Sequence, residues 1–208
     1  MKKLLLVVGL LMAVGYAYAG TVTVNFIGFS GGGWQAGYPY YANINGGDQI
    51  NVMCDDWVHG GEPGQHWQAN VTNLGSGDLT YLRFNLLPDA DTLYKEAGWL
   101  LIETEVAPQG DWVDMNYAVW HIFDPNSPLS TYAQYWLNQA AYQANLGFPG
   151  VDFTQVEILT PTDQYNNDPN APQELLTLVP GGNTPEPGTL ILVGTGLLGI
   201  WGRRKLRS

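Results

Sequence analysis

The sequence predicts an α+β domain: β-rich segments at both ends form a sheet or sandwich around a central block of about three helices. Three observations carry this expectation. Residues 21–84 alternate polar and apolar side chains between glycine-rich breaks, as half-buried strands do. After Asp91 the apolar residues change to helical spacing, and beyond Gly150 the two-residue period returns. Strands, then helices, then strands point to α+β rather than to alternating α/β.

The first strand is Thr21 to Ile27, stopped at Gly31-Gly32-Gly33. Asn45-Gly46-Gly47-Asp48 is a strong turn signal, and Gln49 to Cys54 resumes a strand behind it. Trp67 to Thr72 reads as another, with Thr80 to Phe84 a weaker one. In the middle, Leu93, Ala97, Leu100, Leu101 and Thr104 share a helical face, with Asp91 as the expected N-cap. Asp111 caps a second helix to Phe123, apolar on most sides and therefore buried, with Asp114 well placed in its first turn. Ser127-Pro128 opens a third that aligns Leu129, Ala133, Trp136, Leu137 and Ala140 and ends near Gly147. Val151 to Leu159 and Gln173 to Val179 close the domain as strands, joined by a loop rich in Asp, Asn and Pro.

Neither end of the chain belongs to this fold. Lys2 and Lys3 precede an apolar run from Leu4 to Val14, and Ala17-Tyr18-Ala19 offers the small residues at which a signal peptidase cuts. Residues 1–19 are thus read as a signal peptide, 20–179 as one extracytoplasmic domain and 180–184 as a linker. Within the tail at 185–208, residues 189–202 are read as a short transmembrane helix, separate from the fold like the helix of the leader.

Charge narrows the partners. Between Gly20 and Thr184 stand two cations, Arg83 and Lys95, and eighteen acids, a formal charge of −16. Such a surface repels phosphate backbones and excludes nucleic acid. Cys54 is the single cysteine, so no disulfide forms within the chain. Asp55 and Asp56 beside it oppose thiolate formation.

The tail is short for a membrane anchor. Thr189 to Gly202 would reach about 21 Å as a helix, against a hydrocarbon core of roughly 30 Å. Trp201 suits an interface, and Arg203, Arg204, Lys205 and Arg207 suit the cytoplasmic side, in agreement with a leader that sends the body outward. Pro185-Glu186-Pro187, an apolar stretch and an Arg-rich end together resemble the PEP-CTERM sorting signal of Gram-negative, exopolysaccharide-producing bacteria. That resemblance implies an exosortase, a membrane protease that processes the tail near the Pro-Glu-Pro triplet. The chain would then be held only transiently in the inner membrane and pass to the cell surface or extracellular matrix.

Four stretches of the body, Gly37–Gly46 (GYPYYANING), Val52–Trp57 (VMCDDW), Tyr94–Leu101 (YKEAGWLL) and Asn116–Pro125 (NYAVWHIFDP), are similar to bacterial surface thioester domains. In those domains a cysteine sulfur is acylated by the glutamine of a Thr-Gln-x-Ala-aliphatic-Trp motif. The resemblance places Cys54 as the cysteine and Met115-Asn116-Tyr117-Ala118-Val119-Trp120 as the motif, with Met for Thr and Asn for Gln. Asparagine is one methylene short, and a thioester needs its acyl carbon at bonding distance from sulfur. The expectation is the scaffold without the bond.

Other constellations are weaker. Asp55, Asp56 and His59, with His66 or His121 brought in by folding, lack the spacing of a known metal motif, so neither metal nor cofactor is expected. Glu103 with Glu105, or Asp111 with Asp114, could form a glycosidase pair only across a cleft that the sequence does not indicate. Trp34, Trp57 and Trp67 stand beside turns and are the candidates for stacking on glycans. The resulting reading is a non-enzymatic surface or matrix protein serving adhesion or an exopolysaccharide layer. A carbohydrate-binding module is the first rival and a thioester-type covalent adhesin the second.

Overall fold

A computed structural model describes residues 20–29, 38–163 and 171–179. Six strands lie at the two ends of this body: β1 (Thr21–Phe29), β2 (Tyr40–Ile44), β3 (Gln49–Cys54), β4 (His66–Asn73), β5 (Val156–Pro161) and β6 (Leu175–Leu178). Between β4 and β5 come three helices, α1 (Ala90–Glu103), α2 (Trp112–Phe123) and α3 (Thr131–Asn145). The α+β class is as the sequence predicts. The strands, however, close into an antiparallel barrel in the order β1-β2-β3-β6-β5-β4 instead of an open sheet or sandwich. Closure leaves no unpaired edge to template aggregation. The period-two pattern states which face of a strand is buried; it does not state whether the last strand returns to the first.

The β2–β3 turn follows the chemistry of its residues. Asn45 and Gly46 both adopt positive φ, 53° and 73°, and the Asn45 side chain accepts a hydrogen bond from Thr23 N at 2.8 Å. Alternate residues of the strands then separate into two cores. Val24, Phe26, Tyr40, Ala42, Val52, Cys54, Trp67, Ala69, Leu159 and Leu175 pack together, while Met53, Ile158 and Leu176, on the opposite face of their strands, join the helices. Helix α2 serves both. Met115, Ala118, Val119 and Phe123 belong to the helical core, and Trp120, with Tyr117 against it, belongs to the strand core. That double duty explains a helix apolar on most sides.

Several local expectations are corrected. Thr80–Phe84 forms turns, not a strand; Leu82 is buried and Arg83 leaves the backbone toward buried carboxylates. The N-cap position of α1 is Asp89, in a left-handed conformation, instead of Asp91, which pairs with Lys95 one turn on. Asp111 stands at the N-cap position of α2 but makes no side-chain capping bond. Helix α3 starts three residues later than Ser127-Pro128 suggests, because the Ser130 hydroxyl accepts from Ala133 N at 2.9 Å. Strand β2 was not singled out by its pattern, since Tyr40-Tyr41-Ala42 offers no polar alternation. No described helix is long and apolar enough to cross a membrane. The leader at 1–19 and the apolar span at 189–202 lie outside the described residues.

Candidate functional site

Cys54 ends β3, paired with Leu175 of β6, and is fully buried. Its sulfur is held within one local loop. Sγ lies 3.2 Å from Asp56 O, to which the thiol donates, and accepts from Asp56 N at 3.3 Å. Burial first, and then the neighbouring Asp55 carboxyl, push the thiol well above its ordinary pKa. This is a protonated, enclosed thiol rather than an activated nucleophile.

Asn116 reaches the same corner from α2. Fully buried, it donates from Nδ2 to Cys54 O at 2.8 Å and accepts on Oδ1 from Tyr38 N at 3.1 Å. One carboxamide therefore satisfies the last carbonyl of β3 and an amide just ahead of β2. Backbone groups at strand ends have no ladder partner, and leaving them dry would cost one to several kcal/mol. The sequence-predicted pair is thus brought together, but the amide is engaged as an amide. Met115, at the position of the motif's threonine, points into the helical core. Trp120 packs with Cys54 in the strand core, and exposed Trp57 lies on it at a ring separation of 4.9 Å.

One residue beyond Cys54 the environment reverses. Asp55 is fully buried, and neither of its oxygens receives a hydrogen bond from a donor group. It faces Glu174, also fully buried, which collects three donors: Tyr94 OH at 2.6 Å, Arg83 N at 2.9 Å and the Thr160 hydroxyl. Two carboxyls in contact in a dry interior cannot both be charged without great cost. The donors converge on Glu174, so the shared proton belongs on Asp55, whose carboxyl is pushed well up by burial and then by Glu174. The Tyr94 phenol is raised for the same two reasons in the same order.

Asp56 completes the cluster with an ion pair. Arg83 Nη1 meets Asp56 Oδ2, Nη2 donates to Pro172 O at 2.9 Å, and His59 Nδ1 lies 2.7 Å from the same Asp56 oxygen. Asp56 Oδ1 accepts from Val58 N and His59 N. The network joins the ends of β3 and β5, the segment before β6, and α1. Sequence reasoning missed Arg83, Glu174, Tyr94 and Thr160 in this role. A signal was present: one of only two cations in a body of eighteen acids has to find a carboxylate.

Residues 183–207 match the PEP-CTERM protein-sorting motif. The tail carries a PEP-CTERM signal. Such signals mark surface proteins processed by an exosortase. No curated protein matches the chain. Solved structures similar to it include the N-terminal thioester domain of the fibronectin-binding protein SfbI from Streptococcus pyogenes, at 12% identity and a TM-score of 0.48, over 77% of this chain and 94% of that one. The N-terminal thioester domain of a surface protein from Clostridium perfringens is similar at 12% identity and a TM-score of 0.45, over 76% and 98%. The N-terminal domain of the Streptococcus pyogenes pilus tip adhesin Cpa gives 10% and 0.45, over 80% and 96%.

The PEP-CTERM residues Pro185, Glu186, Pro187, Arg203, Arg204 and Lys205 lie outside the described residues, as do Ala17 and Ala19 of the leader and Trp34. The proposed glycan-stacking trio does not form a groove among the rest. Trp67 is 8% exposed inside the strand core, and Trp57 is 38% exposed with one side against Trp120. Asp55, Asp56 and His59 are adjacent but committed to Glu174 and Arg83; no described group of three or more acids, His or Cys could hold a metal ion. Asp114 accepts from Ser130 Oγ and braces the start of α3, a structural use for one of the suggested acid pairs.

Proposed function

We propose that this chain is an exported, non-catalytic protein of the cell surface or extracellular matrix of a Gram-negative bacterium. An exosortase-like protease processes its tail after a transient stay in the inner membrane, and the body serves adhesion or an exopolysaccharide layer. The observation that carries the reading is the PEP-CTERM match at residues 183–207, preceded by an acidic body unsuited to nucleic acid. In the body, the engaged Asn116 carboxamide and the buried Cys54 thiol favour a scaffold that keeps the corner of a thioester domain without its bond.

Replacing Glu186 with Gln, or deleting the exosortase gene, abolishes tail processing and leaves the protein in the membrane fraction. Unchanged processing and location in both strains would overturn the sorting reading. The covalent-adhesin alternative is favoured by the approach of Asn116 to Cys54, and intact mass decides it. After allowance for the removed leader and processed tail, the exported protein shows no further mass loss and takes up one alkyl group at Cys54 on unfolding. A mass lower by one ammonia, with Cys54 blocked, would establish the thioester.

A further inference from the structure

Helix α3 and its flanks present an uncharged stretch of the body's surface. No charged residue occurs from Pro125 to Val151, in a body that elsewhere carries all its twenty charges. Helix α3 fills the centre of that region. Its buried side is Ala133, Ala140 and the partly covered Trp136, Leu137 and Ala144. Its outer side exposes Tyr132 (73%), Tyr135 (54%), Tyr142 (57%) and, just past the last turn, Leu146 (52%). At 100° per residue these four fall within a sector of about 80°, and Gln139 and Gln143 lie in or beside the same stripe. The stripe runs about 21 Å from Tyr132 to Leu146 at 1.5 Å per residue.

Exposed large side chains scattered singly need no explanation, but three tyrosines and a leucine aligned on one uncharged face form a patch. Its chemistry selects the occupant. Anionic membranes and nucleic acids bind through cations, and the two cations of the body are already engaged, Arg83 with Asp56 and Lys95 with Asp91. A second copy would bring another −16 of formal charge against this one, whereas a neutral ligand brings none. Tyrosine presents a flat apolar ring and a hydroxyl at its rim, and the flanking glutamine amides both donate and accept. Rings with amides suit a ligand that has apolar CH faces and hydroxyl edges, which describes a sugar chain. An acidic polysaccharide would be repelled by the rest of the surface.

We infer that the outer face of α3 binds a neutral polysaccharide, with Tyr132, Tyr135 and Tyr142 stacking on successive parts of the sugar chain. This rests on the reading of the chain as an exported surface protein and supplies that reading with a ligand class. The place is helix α3, apart from the tryptophans that the sequence singles out.

The test uses the exported protein and its triple variant Tyr132→Ala, Tyr135→Ala, Tyr142→Ala in native gels containing a soluble β-glucan, a mannan, a galactomannan or the polyanion alginate. The wild type is retarded by at least one neutral polymer, not by alginate, and added salt leaves the retardation unchanged. The variant, with an unchanged circular-dichroism spectrum, binds at least tenfold more weakly. No retardation of the wild type, or equal retardation of the variant, overturns the inference. A wild-type dimer that the substitutions convert to monomer, without glycan binding, would assign the stripe to a second copy instead. Fractionation of the same strains separates the two claims: correct sorting without glycan binding rejects the stripe alone, while failed sorting rejects the surface reading.

Discussion

Cys54 and Asp55 are neighbours in sequence, both fully buried, yet they sit in opposite kinds of surroundings. Around Cys54 three polar groups are answered: the thiol by the Asp56 backbone, the Cys54 carbonyl by Asn116, and the other end of that amide by Tyr38 N. Around Asp55 no donor side chain answers the carboxyl, and burial and the facing Glu174 outweigh the field of Arg83. The corner at which a covalent bond would be sought is therefore the relaxed one, and the unfavourable burial lies a residue away. A cysteine beside an amide does not make a reactive site; reactivity requires a thiolate and an unengaged carbonyl, and both are absent from this corner.

The ion pair beside Asp55 offers the sharpest way to break that contrast. Arg83→Leu removes the cation that pairs with Asp56 and strands a carboxylate whose side chain is 2% exposed. Breaking a buried pair from one side costs about 3–5 kcal/mol, so urea or thermal denaturation should find the variant near the limit of folding. A loss below 1 kcal/mol would mean that Asp56 is solvated in the folded protein.

On the relaxed side, Asn116→Leu leaves Cys54 O and Tyr38 N without partners. At about 1–3 kcal/mol for each orphan group, the expected loss is about 2–6 kcal/mol by denaturant titration. Asn116→Gln keeps the amide but adds a methylene to a closed core, costing about 1–3 kcal/mol. Its measured mass should show the substitution and no loss of ammonia, because the Cys54 thiol remains protonated and enclosed. A thioester in this variant would show that the missing methylene alone separates this scaffold from the reactive one.

Much of the fold was legible because its signals are local. Thr21–Ile27 alternates, Asn45-Gly46 turns, and the helical period begins and ends close to where α1, α2 and α3 do. The proximity of Cys54 to Asn116 was legible only through resemblance, for 62 residues separate them and no periodicity connects β3 to α2. Barrel closure and the Asp55–Glu174 contact were not legible at all. Both depend on β6 inserting between β3 and β5, a choice made by long-range pairing rather than by the pattern of Leu175–Leu178. Of the three tryptophans, Trp57 is exposed as expected, while Trp67 departs for a related reason. Standing beside a turn does not expose a ring, and Trp67 faces the strand core because its register with Val24 requires it.

The smallest effect carries the opposite sign. Asp55→Asn preserves shape and keeps a donor for Glu174, but removes the need to hold a carboxylic acid neutral. In the wild type the native state retains the Asp55 proton, while the unfolded chain releases it near pH 3.8. The stabilisation from this group is therefore fully present below that pH and is lost as pH rises toward the elevated native value. The variant has no such proton to lose. Wild type and Asp55→Asn should accordingly be equally stable near pH 3, and the variant should gain steadily on the wild type as pH rises. A stability difference that does not change with pH would place the proton elsewhere. A variant destabilised at pH 7 would show that Asp55 is buried as the charged form, and that Arg83 outweighs Glu174 in deciding its state.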